Sequence, residues 1–259
     1  MLNLDLTHLL SRDASNFNNR EKFVCNLRNW RNIAPEHVVE RLENFRSEGS
    51  KLYEREDFLW MGIISAATTV QGVKSNEYMT RNSNVDARSF SSFLKANDRD
   101  AYTKNLIGAK SDSNFRVKRI VESFNEIGSL EKLKKMQISL KSLTTRDEKI
   151  DALKKSRLKG FGPKYARNFW MDFCDPEFVD GTFALDSRLQ KFIAVVWPHF
   201  DSKEGKKLIG AAVGDENLYG KIEYAMNEIA KEAGVTSWDM DRLLFLLLEN
   251  EEGLPAFLK

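Results

Sequence analysis

Cysteine is almost missing from the 259 residues. Cys25 and Cys174 stand far apart with no ligand spacing, which excludes a four-thiolate iron–sulfur cluster and leaves a cysteine zinc site without a basis. Both are expected to be buried hydrophobes in a reducing compartment. Histidine is as scarce: His8, His37 and His199 are scattered without partners, so core or surface positions are expected rather than metal ligation. An excess of one charge is lacking too. Lys and Arg number 40 against 38 Asp and Glu, a formal net charge of +2, so affinity for an anionic polymer has to come from a local patch. The longest apolar run, Leu243–Leu248, falls far short of the ~20 residues that cross a bilayer. The start, Met1-Leu2-Asn3-Leu4-Asp5, has neither the basic residues nor the small-residue cleavage site of a secretory signal. A soluble, cytoplasmic protein without membrane association is the expectation.

Alternating β-branched runs are also few, whereas apolar residues recur at helical spacing along most of the chain. This predicts an all-α protein with short connections, whose apolar content suffices for a core of its own. No internal repeat or low-complexity segment is present. Arg81 to Arg99 is the most polar stretch and reads as a loop or broken helix. Asp175 to Thr182 is rich in turn formers and marks a lobe boundary.

What the chain does contain is a pointed local pattern, Leu158-Lys159-Gly160-Phe161-Gly162-Pro163-Lys164-Tyr165-Ala166. Thr145-Arg146-Asp147-Glu148 reads as a capping box that opens a helix running through Ile150, Leu153 and Leu158. Gly160 and Gly162 are expected to stop it in a tight turn. Pro163 suits the first position of the next helix. Ala166, Phe169, Trp170 and Phe173 then form one buried stripe, which leaves Lys164, Arg167 and Asn168 on another face. Lys154, Lys155, Arg157, Lys159, Lys164 and Arg167 crowd the element, and turn amides beside a helix N-terminus bind phosphate.

This pattern resembles the helix-hairpin-helix of DNA repair glycosylases. The resemblance extends in order along residues 57–195. Asp57-Phe58-Leu59-Trp60-Met61-Gly62-Ile63-Ile64-Ser65-Ala66 looks like the apolar family helix that ends in a small-residue turn facing DNA. Phe115-Arg116-Val117-Lys118-Arg119-Ile120-Val121 looks like the next marker helix. Ala184-Leu185-Asp186-Ser187-Arg188 matches the segment that carries the family's catalytic aspartate. With two cysteines rather than the four that hold a cluster, the chain is separated from the cluster-bearing endonuclease III branch. The implied fold is two-lobed and all-α, with a central lobe over 57–179, a second lobe from 1–56 and 180–259, and the active cleft between them. The implied partner is damaged duplex DNA, bound by a monomer. No cofactor is expected, and although the resemblance allows a monovalent cation at the hairpin carbonyls, no side-chain motif asks for a metal.

Cleaving a glycosidic bond requires stabilised positive charge on the departing sugar and a nucleophile to capture it. Lys164 and Asp186 fit those roles by resemblance. Attack by Lys164 on C1′ would give an imine, and loss of a β proton would then break the strand. The amine must lose its proton first, with burial or neighbouring cations lowering its pKa; Arg167 and Lys159 are the candidate neighbours. Lys164 also reads as a plain phosphate ligand, and Asp186 as the N-cap of the helix that continues through Leu189 and Phe192. The capping and catalytic roles are compatible.

Candidate DNA contacts are Lys159, Gly160, Gly162, Arg167, Arg188, Thr68, Thr69 and Gln71. Two departures from the family pattern bear on them. After Ser65-Ala66, where relatives place Gln or Asn to fill the hole left by an extruded base, this chain has Ala67, Thr68 and Thr69, with Gln71 beyond as a wedge candidate. Arg188 stands where many relatives carry His. For the base pocket, Ser237-Trp238-Asp239-Met240-Asp241-Arg242-Leu243-Leu244-Phe245 is similar to the C-terminal helix of the small 8-oxoguanine DNA glycosylases, which end in a lysine near the base. Trp238 and Phe245 are candidates to stack, Asp239 and Asp241 to accept the N7 proton of 8-oxoguanine, and Lys259 to add a polar contact. Stripes of this kind also build plain cores. Removal of 8-oxoguanine by a glycosylase with AP lyase activity is the expected function. Excision of another damaged base, such as an oxidised pyrimidine, and a noncatalytic DNA-binding module are the alternatives.

Overall fold

The computed structural model describes residues 18–68, 86–107, 114–196, 203–249 and 253–258, and no strand occurs among them. The helices are α1 (Asn18–Arg28), α2 (Trp30–Ile33), α3 (Glu36–Tyr53), α4 (Phe58–Thr68), α5 (Phe90–Lys95), α6 (Arg99–Ile107), α7 (Asn114–Ile127), α8 (Leu130–Lys141), α9 (Arg146–Lys155), α10 (Pro163–Asp172), α11 (Ser187–Val196), α12 (Lys203–Ala212), α13 (Glu216–Ala233), α14 (Ser237–Leu247) and α15 (Gly253–Phe257). The protein is all-α over the described residues. Two compact units are present, one formed by Ser50–Phe169 and the other by Met1–Gly49 with Trp170–Lys259. The division falls at 169/170. No described helix is long and apolar enough to cross a membrane.

The Ser50–Phe169 unit is organised around α4. Every residue of that helix except Ser65 is buried, as befits a helix that is apolar all round. Its N-terminal backbone is satisfied by Gln137 of α8, which accepts the Leu59 amide at 3.0 Å and donates to the Glu56 carbonyl at 2.7 Å. Trp60, fully buried, donates its indole N–H to the Arg88 carbonyl and packs edge-on against Phe90 and Phe93, 5.4 and 4.7 Å between ring centres. Asp57 ties in the polar stretch that follows: its Oδ2 accepts the Phe90 amide while Oδ1 pairs with Arg55. From Asp86 onward that stretch forms a 3-10 turn and the short helix α5, the broken helix expected there; residues 81–85 lie outside the described residues.

In the second unit α1, α11 and α15 share an aromatic contact: Phe23 lies 4.6 Å from Phe192 and 6.0 Å from Phe257, centre to centre. Helices α13 and α14 carry the longest buried stripes, from Tyr219 to Ala233 and from Ser237 to Leu247. Gly234 ends α13 in the left-handed conformation, φ 72°, where glycine costs least. The cysteines depart from expectation. Cys25 is exposed and Cys174 only half-buried, because α1 turns its buried face through Phe23, Val24 and Leu27 and Cys25 falls on the opposite side.

Candidate functional site

The helical hairpin of the Ser50–Phe169 unit begins with the capping box. The Thr145 side chain accepts the Glu148 amide and Glu148 returns a bond to the Thr145 amide. Helix α9 ends at Lys155 and does not run on to Leu158. Ser156 adopts an extended conformation and its hydroxyl donates to the Leu153 carbonyl at 2.6 Å, a local bond that competes with a further helical turn. The turn is anchored from α7 through Ser123, whose buried hydroxyl accepts the Lys159 amide at 3.0 Å.

The two glycines are not alike. Gly160 sits at φ 106°, a conformation that only glycine adopts without strain. Gly162 has no positive φ, and a Cβ placed there would meet nothing within 4 Å. Conformation therefore does not require glycine at 162, contrary to expectation; open space lies in front of it. The Gly162 amide bonds the Gly160 carbonyl at 3.2 Å, whereas the amides of Gly160 and Phe161 have no hydrogen-bond partner among the described residues. Helix α10 then starts at Pro163 with Lys164 second, its stripe of Ala166, Phe169 and Trp170 buried as predicted, with Phe173 buried just beyond.

The basic residues divide. Arg157 and Lys159 are exposed. Lys154 and Lys155 both pair with Asp151, at 3.6 and 2.9 Å. Lys164 is half-buried, its Nζ 4.8 Å from the centre of the Tyr165 ring. Arg167 is only 5 % exposed and donates to the Pro163 carbonyl at 3.1 Å. It holds the first turn of α10 from within, which corrects its placement as an outward phosphate contact. Beside the hairpin, Arg119 of α7 lies over the exposed ring of Phe115 at 3.9 Å and comes within 3.8 Å of where a Gly160 Cβ would stand. At the end of α4, Thr68 is 1 % exposed and its hydroxyl turns back onto the Ile64 and Ser65 carbonyls, which corrects its placement as a DNA contact. Thr69, Gln71 and Lys259 lie outside the described residues.

Asp186 belongs to the other unit. It caps α11, with Oδ1 accepting the Arg188 and Leu189 amides at 2.9 Å each. Its Oδ2 has no hydrogen-bond partner among the described residues. The approach to Asp186 is a coil whose amides are taken up by buried side chains of α13 and α14. Ser237 accepts from Gly181, Glu223 from Phe183, Asp241 from Ala184 and Tyr219 from Leu185, all between 2.9 and 3.1 Å. The Asp186 amide turns back to the Ala184 carbonyl at 2.6 Å. Tyr219 and Glu223 were missed in the sequence. The available signal was a Tyr and a Glu one turn apart within the apolar stripe of α13, both of which end up buried.

The residues assigned to a base pocket are mostly committed elsewhere. Trp238 is 3 % exposed, with its indole N–H bonded to the Met171 carbonyl at 2.8 Å and Arg46 over its ring at 4.9 Å. It is core rather than a stacking surface. Asp241 is buried, bonded to the Ala184 amide and paired with Arg242 at 3.0 Å, so its carboxylate faces the coil and not an open pocket. Burial pushes the Asp241 carboxyl up to about 6, aided by the charges of Asp186 and Asp172 and opposed by Arg242 and the Ala184 amide. Asp239 binds Arg46 at 2.5 Å and the Thr236 hydroxyl at 2.8 Å. Phe245 stays half-exposed, with the Arg188 guanidinium 3.8 Å from its ring centre and Phe45 edge-on at 6.4 Å. Arg188 also donates to the Phe245 carbonyl at 3.4 Å. Helical periodicity selects all of these residues equally, and only their partners separate core from surface.

Among the described residues no group of three or more His, Cys, Asp or Glu stands together to hold a metal ion. Compared with family models, with curated proteins and with solved structures, the chain finds no match in any of the three.

Proposed function

We propose that the chain is a DNA glycosylase with AP lyase activity, of the helix-hairpin-helix kind, that removes 8-oxoguanine from duplex DNA through an imine on Lys164. The observation that carries this reading is the turn before α10. Two amides without a partner among the described residues, at Gly160 and Phe161, are flanked by exposed Arg157 and Lys159 and lead directly to Lys164. Amides and cations in that arrangement take phosphate oxygens, and the open space at Gly162 lets a backbone come close. A lysine on the first helical turn past a phosphate cradle is suited to reach the adjoining sugar.

Asp186 supports the same chemistry. Its Oδ1 is fixed by two amides while Oδ2 carries no bond among the described residues, so the carboxylate is held in one orientation with an oxygen left to stabilise positive charge on a sugar losing its base. Lys164 Nζ, as the free amine, then bonds C1′ while the glycosidic bond breaks and its electron pair leaves with the base, which takes up a proton; the C1′–O4′ bond opens to give the imine, and loss of a C2′ proton expels the 3′ phosphate and breaks the strand. Of the aromatic residues assigned to the base pocket, the half-exposed Phe245, with Arg188 on one face, is the one that an extruded base could meet.

A noncatalytic clamp is the second reading, favoured by the use of Asp186 as a helix cap. A panel of duplexes, each with one lesion, assayed for base release and for borohydride trapping, separates the two. Release of 8-oxoguanine faster than thymine glycol or uracil, with a trapped adduct, is the expected result. Faster release of thymine glycol would move the substrate to oxidised pyrimidines. Binding without release of any base would leave the clamp.

A further inference from the structure

We propose that Asp241 is a positioning residue for Asp186, acting through the backbone of Ala184 and sensitive to its own ionisation. The inference rests on the catalytic reading of Asp186. Its geometric basis is a chain of three short steps. Asp241 Oδ1 accepts the Ala184 amide at 2.9 Å, the Ala184 carbonyl accepts the Asp186 amide at 2.6 Å, and Asp186 Oδ1 accepts the Arg188 and Leu189 amides that open α11. The residue between them, Leu185, is fully buried and bonded through its amide to Tyr219. A change at Asp241 is therefore passed to the Asp186 backbone without slack.

The surroundings of Asp241 make its charge state a variable. Arg242, on the same helix, pairs with it at 3.0 Å, but the Arg242 guanidinium is shared with Asp172 of α10 at 2.8 Å. Asp186 and Asp172 both oppose ionisation of Asp241. Glu223 of α13 accepts the amide of Phe183, next to Ala184. Of the arginines on other elements, Arg188 of α11 lies on Phe245, and Arg46 of α3 pairs with Asp239 and lies over Trp238. With burial dominant, the carboxyl titrates at about 6. An ionised carboxylate accepts an amide more strongly than a neutral acid does, so protonation slackens the hold on Ala184 and on the turn that presents Asp186.

Two measurements on the full chain test this. In the first, the backbone amide resonances of Ala184 and Asp186 are followed by NMR from about pH 5 to about pH 7, the range around the Asp241 midpoint. Both should shift sigmoidally with a midpoint near 6, and both should be flat in Asp241→Asn, which keeps an acceptor oxygen but does not titrate. Flat amides in the wild-type protein would overturn the proposal, and this arm needs no variant to fold. In the second, single-turnover base release from an 8-oxoguanine duplex is measured over the same range. The rate should fall several-fold below the Asp241 midpoint with DNA affinity unchanged, and Asp241→Asn should lose that inflection. An inflection that persists in the variant would also overturn it. Titrating amides in a protein that releases no base would leave the positioning intact and refute the catalytic reading instead.

Discussion

The hydroxyl of Tyr219 accepts the amide of Leu185 at 2.9 Å and donates its own proton to the carbonyl of Phe183, also at 2.9 Å. One phenol thus satisfies the backbone on both sides of Ala184, among residues that are fully buried. Tyr219→Phe removes both bonds and leaves a buried amide and a buried carbonyl without partners, at about 1–3 kcal/mol for the group left unsatisfied. Denaturant unfolding should show that loss with an unchanged m-value. Base release should slow while DNA affinity stays within a few fold, because the disturbed segment leads to Asp186 rather than to the hairpin.

Asp186→Asn should keep α11 intact, since Asn caps helices about as well as Asp. Base release should fall by roughly 100-fold, the scale of losing one electrostatic stabiliser. Release near the wild-type rate would assign the residue to capping alone.

Lys164→Gln should abolish the borohydride-trapped adduct while leaving duplex binding largely intact. A variant that still forms the adduct in full yield would place the nucleophile on another residue.

The glycines should respond differently to substitution. Gly160→Ala forces a side chain into φ 106° and should cost about 1–2 kcal/mol in stability. Gly162→Val meets no protein atom within 4 Å at its Cβ, so its unfolding midpoint should stay near wild type. It should nevertheless weaken lesion-bearing and undamaged duplexes alike, because phosphate contacts carry no sequence information. Weakening confined to lesion DNA would contradict the phosphate cradle.

Asp241 should leave a mark on stability as well. Its folded carboxyl titrates at about 6 against an ordinary value of 3.8. Between those values the folded state holds a proton that the unfolded chain has released. The contribution is therefore fully present below about pH 4 and is lost as pH rises to about 6, by at most about 3 kcal/mol. Asp241→Asn should remove this slope, and the difference between the two unfolding curves measured from about pH 4 to about pH 7 isolates it. Parallel curves would show that Asp241 keeps an ordinary affinity for its proton.

The elements that were legible in the sequence are those whose cause is local. The Thr145–Glu148 box, Pro163 at the head of α10 and the Ala166–Phe169–Trp170 stripe all follow from residues within two turns of one another. Asp186 as a cap has the same local origin. Partners distant in the chain were not legible: Tyr219 lies 34 residues from Leu185, and Asp241 57 from Ala184. Trp238 and Phe245 look alike as apolar residues on one helix, and only the Met171 carbonyl beneath the first and the Arg188 guanidinium above the second tell them apart. Gly162 showed the limit of reading residue type as conformation, because its backbone does not need glycine.

The coil from Gly181 to Leu185 has no helix or strand of its own, yet four of its five amides end on buried side chains. Its resistance to opening is accordingly that of α13 and α14 rather than that of a loop. Amide hydrogens in an irregular segment usually exchange quickly. Here those of Phe183, Ala184 and Leu185 should exchange as slowly as the helical amides around Met226 and Leu243, and should be released only when the two helices separate.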